Sequence, residues 1–123
     1  MKVGILGSGV VAQALGDGFV KHGHEVMLGT REPAKLADWV GRNPAAQTGT
    51  VAATAEFGEL VVLAVKGTAA ADALRAAGSR NFSAKPIIDA TNPIADVPPV
   101  NGVLKFFTNF DVKFQLPENF KLF

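Results

Sequence analysis

Residues 2–12 read Lys2-Val3-Gly4-Ile5-Leu6-Gly7-Ser8-Gly9-Val10-Val11-Ala12, and the fold is decided there. Lys2–Leu6 is a short apolar run of the kind that forms a buried strand. Gly7-Ser8-Gly9 forces a turn. Beyond it, Val10, Val11, Ala14, Leu15, Gly18 and Phe19 recur at spacings of three and four. That recurrence predicts a helix over residues 10–22 with those side chains inward. Gly23 follows where a helix end favours a left-handed residue. A strand, a glycine turn and a helix in this order open a βαβ unit.

The alternation continues outward from that unit. Residues 25–29 read as a second strand. Pro33 suits the first turn of a helix that Leu36, Trp39 and Val40 continue and Asn43-Pro44 ends, with Trp39 in or beside the core. A third strand is expected near residues 48–51 and a short helix over 53–58. Residues 60–65 (LVVLAV) are the most apolar run in the chain and read as a fully buried parallel strand. Thr68 is expected to cap a helix over residues 69–77, and residues 86–90 read as a fifth strand. Strands that alternate with helices imply an α/β fold of the Rossmann-like, doubly wound kind. Its sheet is mostly parallel, with helices on both faces.

Composition narrows the function classes. The chain is 48% hydrophobic and 19% charged, enough apolar material for a core and too little charge for a disordered chain. Twelve Lys and Arg against eleven Asp and Glu give a net charge of +1, without the basic excess of a nucleic-acid binder. The absence of Cys excludes disulfides and thiolate metal sites, and two His leave little for a metal, so none is assigned. The first apolar run is too short for a signal peptide, and nothing approaches the roughly 18 apolar residues of a membrane span. A cytoplasmic protein is the expectation. Phenylalanine is uneven: six of the nine (Phe106, Phe107, Phe110, Phe114, Phe120 and Phe123) lie in the last eighteen residues. We read one domain over residues 1–110, whose end (101–110) suits a further strand with its loop. A divergent tail follows over 111–123. The tail is expected to cover an open sheet edge or to be buried in a homo-oligomer.

Gly7-Ser8-Gly9-Val10-Val11-Ala12 matches the G-x-G-x-x-A form of the dinucleotide fingerprint, in the strand-to-helix context that gives the pattern meaning. Gly7 permits the turn, Gly9 lets a pyrophosphate approach the backbone, and Ala12 lets the helix pack on the strand. The free N–H groups at the helix start favour an anion. At the tip of the second strand an NAD-binding domain usually carries an acid for the ribose 2′-hydroxyl. Here the tip reads Met27-Leu28-Gly29-Thr30-Arg31. A hydroxyl and a guanidinium suit a 2′-phosphate, with Lys35 as a further partner. This reads as NADP, and Glu32 stands against it. After the fourth strand, Ala64 and Val65 offer an apolar surface. Lys66 is either a phosphate or substrate contact or a surface lysine. After the fifth strand, Asn92 before Pro93 is either a carboxamide contact or a turn former. Asp89 suits a bond to a neighbouring loop, and His22 a helix C-terminus. With no Tyr, no Cys and no His at a strand tip, no catalytic acid or base is assigned.

KVGILGSGVVAQALGDGF, HEVMLGTREP, ELVVLAVKG and DATNPI together resemble the family of NADP oxidoreductases dependent on the deazaflavin coenzyme F-420. The nucleotide-binding domain of the ferric reductases with six membrane helices is similar. The resemblance runs to about residue 109. It implies NADP(H) held by Gly7, Ser8, Gly9, Val10, Thr30, Arg31, Val65 and Asn92, and hydride transfer with a second cofactor or small substrate stacked on the nicotinamide. Members generally continue for about as much chain again, which builds the substrate side. Two functions are therefore carried forward. One is an NADP(H)-dependent oxidoreductase with a deazaflavin as candidate co-substrate. The other is a non-catalytic NADP-binding module or subunit.

Overall fold

The computed structural model describes residues 1–107 of the chain. Five strands form one sheet: β1 (Lys2–Leu6), β2 (Glu25–Gly29), β3 (Gln47–Gly49), β4 (Leu60–Leu63) and β5 (Ile87–Asp89). Their spatial order is β3-β2-β1-β4-β5, and every pairing is parallel. This is the doubly wound Rossmann order for these strands, with the reversal falling between β1 and β4. The helices are α1 (Val10–Lys21), α2 (Ala37–Arg42), α3 (Val51–Phe57) and α4 (Ala70–Ala77).

Strand parity explains why the sheet is covered twice. The register sets Ile5 beside Leu28 on one side and beside Val62 on the other. Successive side chains alternate between faces, so these three share one face. With Val3 and Val26 they pack against Ala12, Leu36 and Trp39. The intervening residues Leu6, Val61 and Leu63 point the other way, into a second core with Ala55, Leu74 and Phe82. Runs apolar at every position are what burial on both faces demands.

On the second face α3 lies unusually close to the sheet. A Cβ on Gly4 would stand 2.2 Å from the Thr54 carbonyl oxygen, and one on Gly29 2.9 Å from Thr54 Oγ1. That contact buries the Thr54 hydroxyl completely, and among the described residues it finds no hydrogen-bond partner. The C-terminal ends of α3 and α4 do find donors. Lys85 Nζ donates to the carbonyls of Ala55 (2.8 Å) and Glu56 (3.0 Å), and Asn81 Nδ2 to that of Ala77 (2.7 Å). A cation at a helix C-terminus also opposes the helix dipole.

Several expected details are corrected. The buried face of α1 is Ala12 and Gly16, flanked by Leu15, Phe19 and Val20. Val10 and Val11, expected inward, are 85% and 55% exposed, because the first turn projects past the strand ends. A Cβ on Gly16 would meet Trp39 Cζ2 at 2.7 Å, so the glycine admits the indole. Trp39 is fully buried, and its Nε1 donates to Asp17 Oδ1 at 2.7 Å, an oxygen that also accepts from Asn43 Nδ2 at 2.9 Å. The helix expected from Pro33 is a 3-10 turn (Pro33–Leu36) followed by α2. β3 starts and ends earlier than expected. Thr50 is not its member but the N-cap of α3, whose Oγ1 accepts from the Ala53 N–H at 3.1 Å. β4 ends at Leu63, since Ala64 and Val65 turn away over the strand ends. Thr68 does not cap α4. It lies within a 3-10 turn (Gly67–Ala69), and Ala69 takes the cap position without a side-chain bond. Gly23 has φ +82, as its place after α1 required.

Beyond β5 the chain forms an antiparallel hairpin rather than a further strand of the sheet. Val100 and Val103 exchange backbone bonds of 3.0 and 2.9 Å across Asn101 (φ 51) and Gly102 (φ 76). Two positive φ values in a two-residue loop define a type I′ turn, for which Asn-Gly is the favoured pair. Ile94 pairs with Phe106 further down the arms, and the Phe107 N–H donates to the Pro93 carbonyl at 3.0 Å. The expected tail over 111–123 lies outside the described residues. Among those described, no helix is long and apolar enough to cross a membrane.

Removing the orphaned hydroxyl at the α3–sheet contact should stabilise the fold. Thr54→Val keeps the shape, and we expect it to raise unfolding free energy by about 1 kcal/mol. Urea denaturation with an unchanged slope checks this.

Candidate functional site

The turn after β1 is built by two glycines with different tasks. Gly7 has φ +138, and a Cβ there would stand 2.3 Å from the Ala64 carbonyl oxygen. Only glycine meets both conditions. Its N–H donates to the Gly29 carbonyl at 2.9 Å, while the Ala64 N–H donates to Leu6 at 2.9 Å, so the tips of β1, β2 and β4 are tied together. The Cβ of Ala12 lies 3.5 Å from the same position, which confirms close packing of α1 on the turn.

Gly9 is the N-cap of α1 in extended conformation, φ −77, a geometry open to any residue. A Cβ there would meet nothing within 4 Å. The fold itself therefore has no need of glycine at this position. The helix behind it has no side-chain cap and no acidic residue in its first turn, so its amide donors and the positive end of its dipole face open space.

That space is a groove over the C-terminal ends of the strands. One half, about 420 Å³, is lined by Gly7, Ser8, Gly9, Thr30, Arg31, Lys35, Ala64, Val65 and Lys66. The other, about 810 Å³, is lined by Gly9, Val10, Val11, Ala64, Val65, Lys66 and Asn92. Gly9, Ala64, Val65 and Lys66 belong to both halves, so the groove runs continuously across the tips of β2, β1, β4 and β5. Twelve of the thirteen residues singled out in the sequence thus line it. Pro93 is the exception among them. It supports the floor: a Cβ on Gly67 would stand 2.2 Å from the Asn92 carbonyl oxygen and 3.2 Å from Pro93 Cα, which clamps the loops after β4 and β5 together.

Local bonds set each wall. Thr30 is nearly buried, and its Oγ1 accepts from the Glu32 N–H at 2.9 Å. Arg31 lies exposed beside it. Asp89 Oδ1 accepts from both the N–H (2.8 Å) and the hydroxyl (2.7 Å) of buried Thr91, which fixes the loop that presents Asn92. Lys66 Nζ lies 3.9 Å from Asp96 Oδ1, across the mouth of the larger half. Sequence reasoning missed the hairpin arm here. Ile94, Ala95, Asp96, Val97 and Pro98 all line the larger half, and Asn101-Gly102 between apolar residues was the available signal. His22 and His24 line neither half; His24 packs edge-on against Phe19 at 5.8 Å. Among the described residues no group of three or more His, Asp or Glu could hold a metal.

The fold and groove define a Rossmann domain of the dinucleotide-binding type. The chain belongs to the family of coenzyme F420-dependent NADP oxidoreductases, whose sequence model matches residues 2–93. A crystal structure of a protein assigned as an F420-dependent NADP reductase, from Arthrobacter sp. FB24, is 32% identical. It superposes with a TM-score of 0.83 over 92% of this chain and 55% of that one. A reductive aminase from Aspergillus terreus, solved with NADPH and ethyl-5-oxohexanoate, is 26% identical, with a TM-score of 0.63 over 74% of this chain and 32% of that one. An imine reductase from Streptomyces aurantiacus shares the fold at 23% identity, with a TM-score of 0.65 over 76% of this chain and 33% of that one. The chain therefore spans about half the length of the first of these relatives, 55%, and about a third of the other two. No curated protein sequence matches it significantly.

The two glycines should respond differently to a methyl group. Gly7→Ala is expected to cost about 3 kcal/mol or more, since it combines a disfavoured φ with a backbone clash. Gly9→Ala should change stability by no more than about 0.5 kcal/mol. Thermal unfolding of the two variants without added ligand checks the contrast.

Proposed function

We propose that this chain binds NADP(H) in the groove and serves hydride transfer between the nicotinamide and a second cofactor or small substrate, with a deazaflavin as the candidate. The observation that carries the reading is Gly9. It is a glycine the fold does not need, placed where an uncapped helix start faces open space. A pyrophosphate fits such a place, because backbone N–H groups and the dipole favour an anion and no side chain keeps it away.

The other assignments follow from the walls. Ser8, Gly9, Val10 and Val11 surround the pyrophosphate. Thr30, Arg31 and Lys35 face the 2′-phosphate, where the guanidinium forks two bonds onto the oxygens. Ala64, Val65 and Lys66 lie along the middle of the nucleotide, and Asn92 bonds the carboxamide. When bound, NADPH supplies the hydride. The residues of this chain orient it and exclude water with the exposed faces of Val10, Val11 and Val65. Such a transfer depends on positioning more than on a proton donor.

The described titratable groups lining the larger half are Lys66 and Asp96, which face each other. This favours a second reading, a cofactor-binding module whose chemistry is completed by further chain or by a partner. Exposed Val100, Val103, Leu104 and Phe106 on the hairpin support a second copy of the chain as that partner, in the cytoplasm.

Fluorescence titration with NADPH and NADH tests the cofactor. NADPH should bind the more tightly, and Arg31→Ala should weaken it by about 1.5–3 kcal/mol while leaving NADH nearly unchanged. Equal affinity for both nucleotides would refute NADP as the cofactor. Turnover of NADPH with a deazaflavin acceptor by the purified chain separates the enzyme from the module.

A further inference from the structure

Glu32 is the residue of the strand-end loop that stands against a 2′-phosphate, and the structure gives it a partner. Lys35 Nζ lies 3.1 Å from Glu32 Oε1, with both side chains more than half exposed. The loop is closed on itself around them. The Glu32 N–H donates to Thr30 Oγ1 at 2.9 Å, and the Lys35 N–H donates to the Glu32 carbonyl at 3.1 Å. Glu32, Lys35, Thr30 and Arg31 all line the smaller half of the groove. Within the strand-end loop, Arg31, Glu32 and Lys35 thus present two cations and one carboxylate, and one of the cations is already engaged.

We propose that Glu32 is a specificity-determining residue that acts through Lys35. It holds the ammonium away from the nucleotide and limits how strongly the groove prefers a ribose 2′-phosphate over a 2′-hydroxyl. The inference rests on the NADP reading above. An exposed ion pair three residues apart is weak, so Lys35 can change partners. With a 2′-phosphate in place, Lys35 must leave Glu32 to reach it, and the carboxylate is left beside a dianion. With a 2′-hydroxyl no exchange is needed, and a carboxylate can accept its hydrogen bond. Both effects act in the same direction, against the phosphate.

The experiment is a set of dissociation constants for NADPH and NADH with the wild-type chain, Glu32→Gln, Lys35→Gln and the double variant. Glu32→Gln is expected to raise the NADPH-over-NADH preference about fivefold at low salt, the scale of one unit charge across a few ångströms of wet surface. Added salt should shrink the gain. Lys35→Gln should weaken NADPH more in the Glu32→Gln background than in the wild type, because only there is Lys35 free from the start. A merely structural ion pair moves thermal stability and leaves both ratios alone. An unchanged preference in Glu32→Gln, or equal costs of Lys35→Gln in the two backgrounds, would overturn the inference while a wild-type preference for NADPH leaves the NADP reading standing. A wild-type chain with no such preference overturns the reading and this inference with it.

Discussion

The site depends on one close contact, the approach of the Gly7 backbone to the Ala64 carbonyl. A Cβ at Gly7 would stand 2.3 Å from that oxygen. Because none is there, the chain can turn upward at once from β1 while β4 ends directly alongside. The tips of β1, β2 and β4 then sit level, tied by the Gly7–Gly29 and Ala64–Leu6 bonds. Helix α1 starts above them with its amides pointing over the sheet. A side chain at Gly7 would separate strand tips, helix start and the loop after β4, and the groove would lose its floor.

Other small residues extend the same principle. Gly16 admits Trp39 between α1 and α2, Gly4 and Gly29 admit α3, and Gly67 admits the loop that carries Asn92. Each removes a side chain so that two backbones or a ring can approach, and the approach at Gly67 brings together two loops that line the groove. Rigid alignment is what the proposed hydride transfer between two bound partners would require, since the reacting atoms must be held a few ångströms apart. The buried, unpaired hydroxyl of Thr54 is a local cost of that tight assembly. Gly9 stands apart from the group: its emptiness serves nothing within the fold.

Much of this was legible in the sequence. The order of strands and helices, the glycine turn, and twelve of the groove's lining residues follow from periodicity and from the rule that ligands bind beyond the strand ends. Element ends were less legible. Thr50 and Thr68 are both plausible caps, and a cap is chosen by where the preceding strand releases the chain. The inward face of α1 is not legible in its first turn, because Val10 and Val11 are apolar and yet exposed. Apolar character marks a core face and the lining of a groove alike. Residues 101–110 suit a strand with its loop, but the Asn101-Gly102 turn folds that strand back on the segment before it rather than onto the sheet.

The sequence by itself determined the doubly wound class, the turn at Gly7 and the family to which the chain belongs. These are properties of neighbours along the chain, written in glycine spacing and in runs of apolar residues. Only the tertiary structure decided which side chains meet across elements: Asp17 with Trp39, Gly67 with Asn92, and the hairpin arm with the groove. It also decided that Lys35 faces Glu32. The reason is physical. A hydrogen bond or ion pair depends on a separation of about 3 Å in space, and that separation is set by how the layers pack, not by distance along the chain.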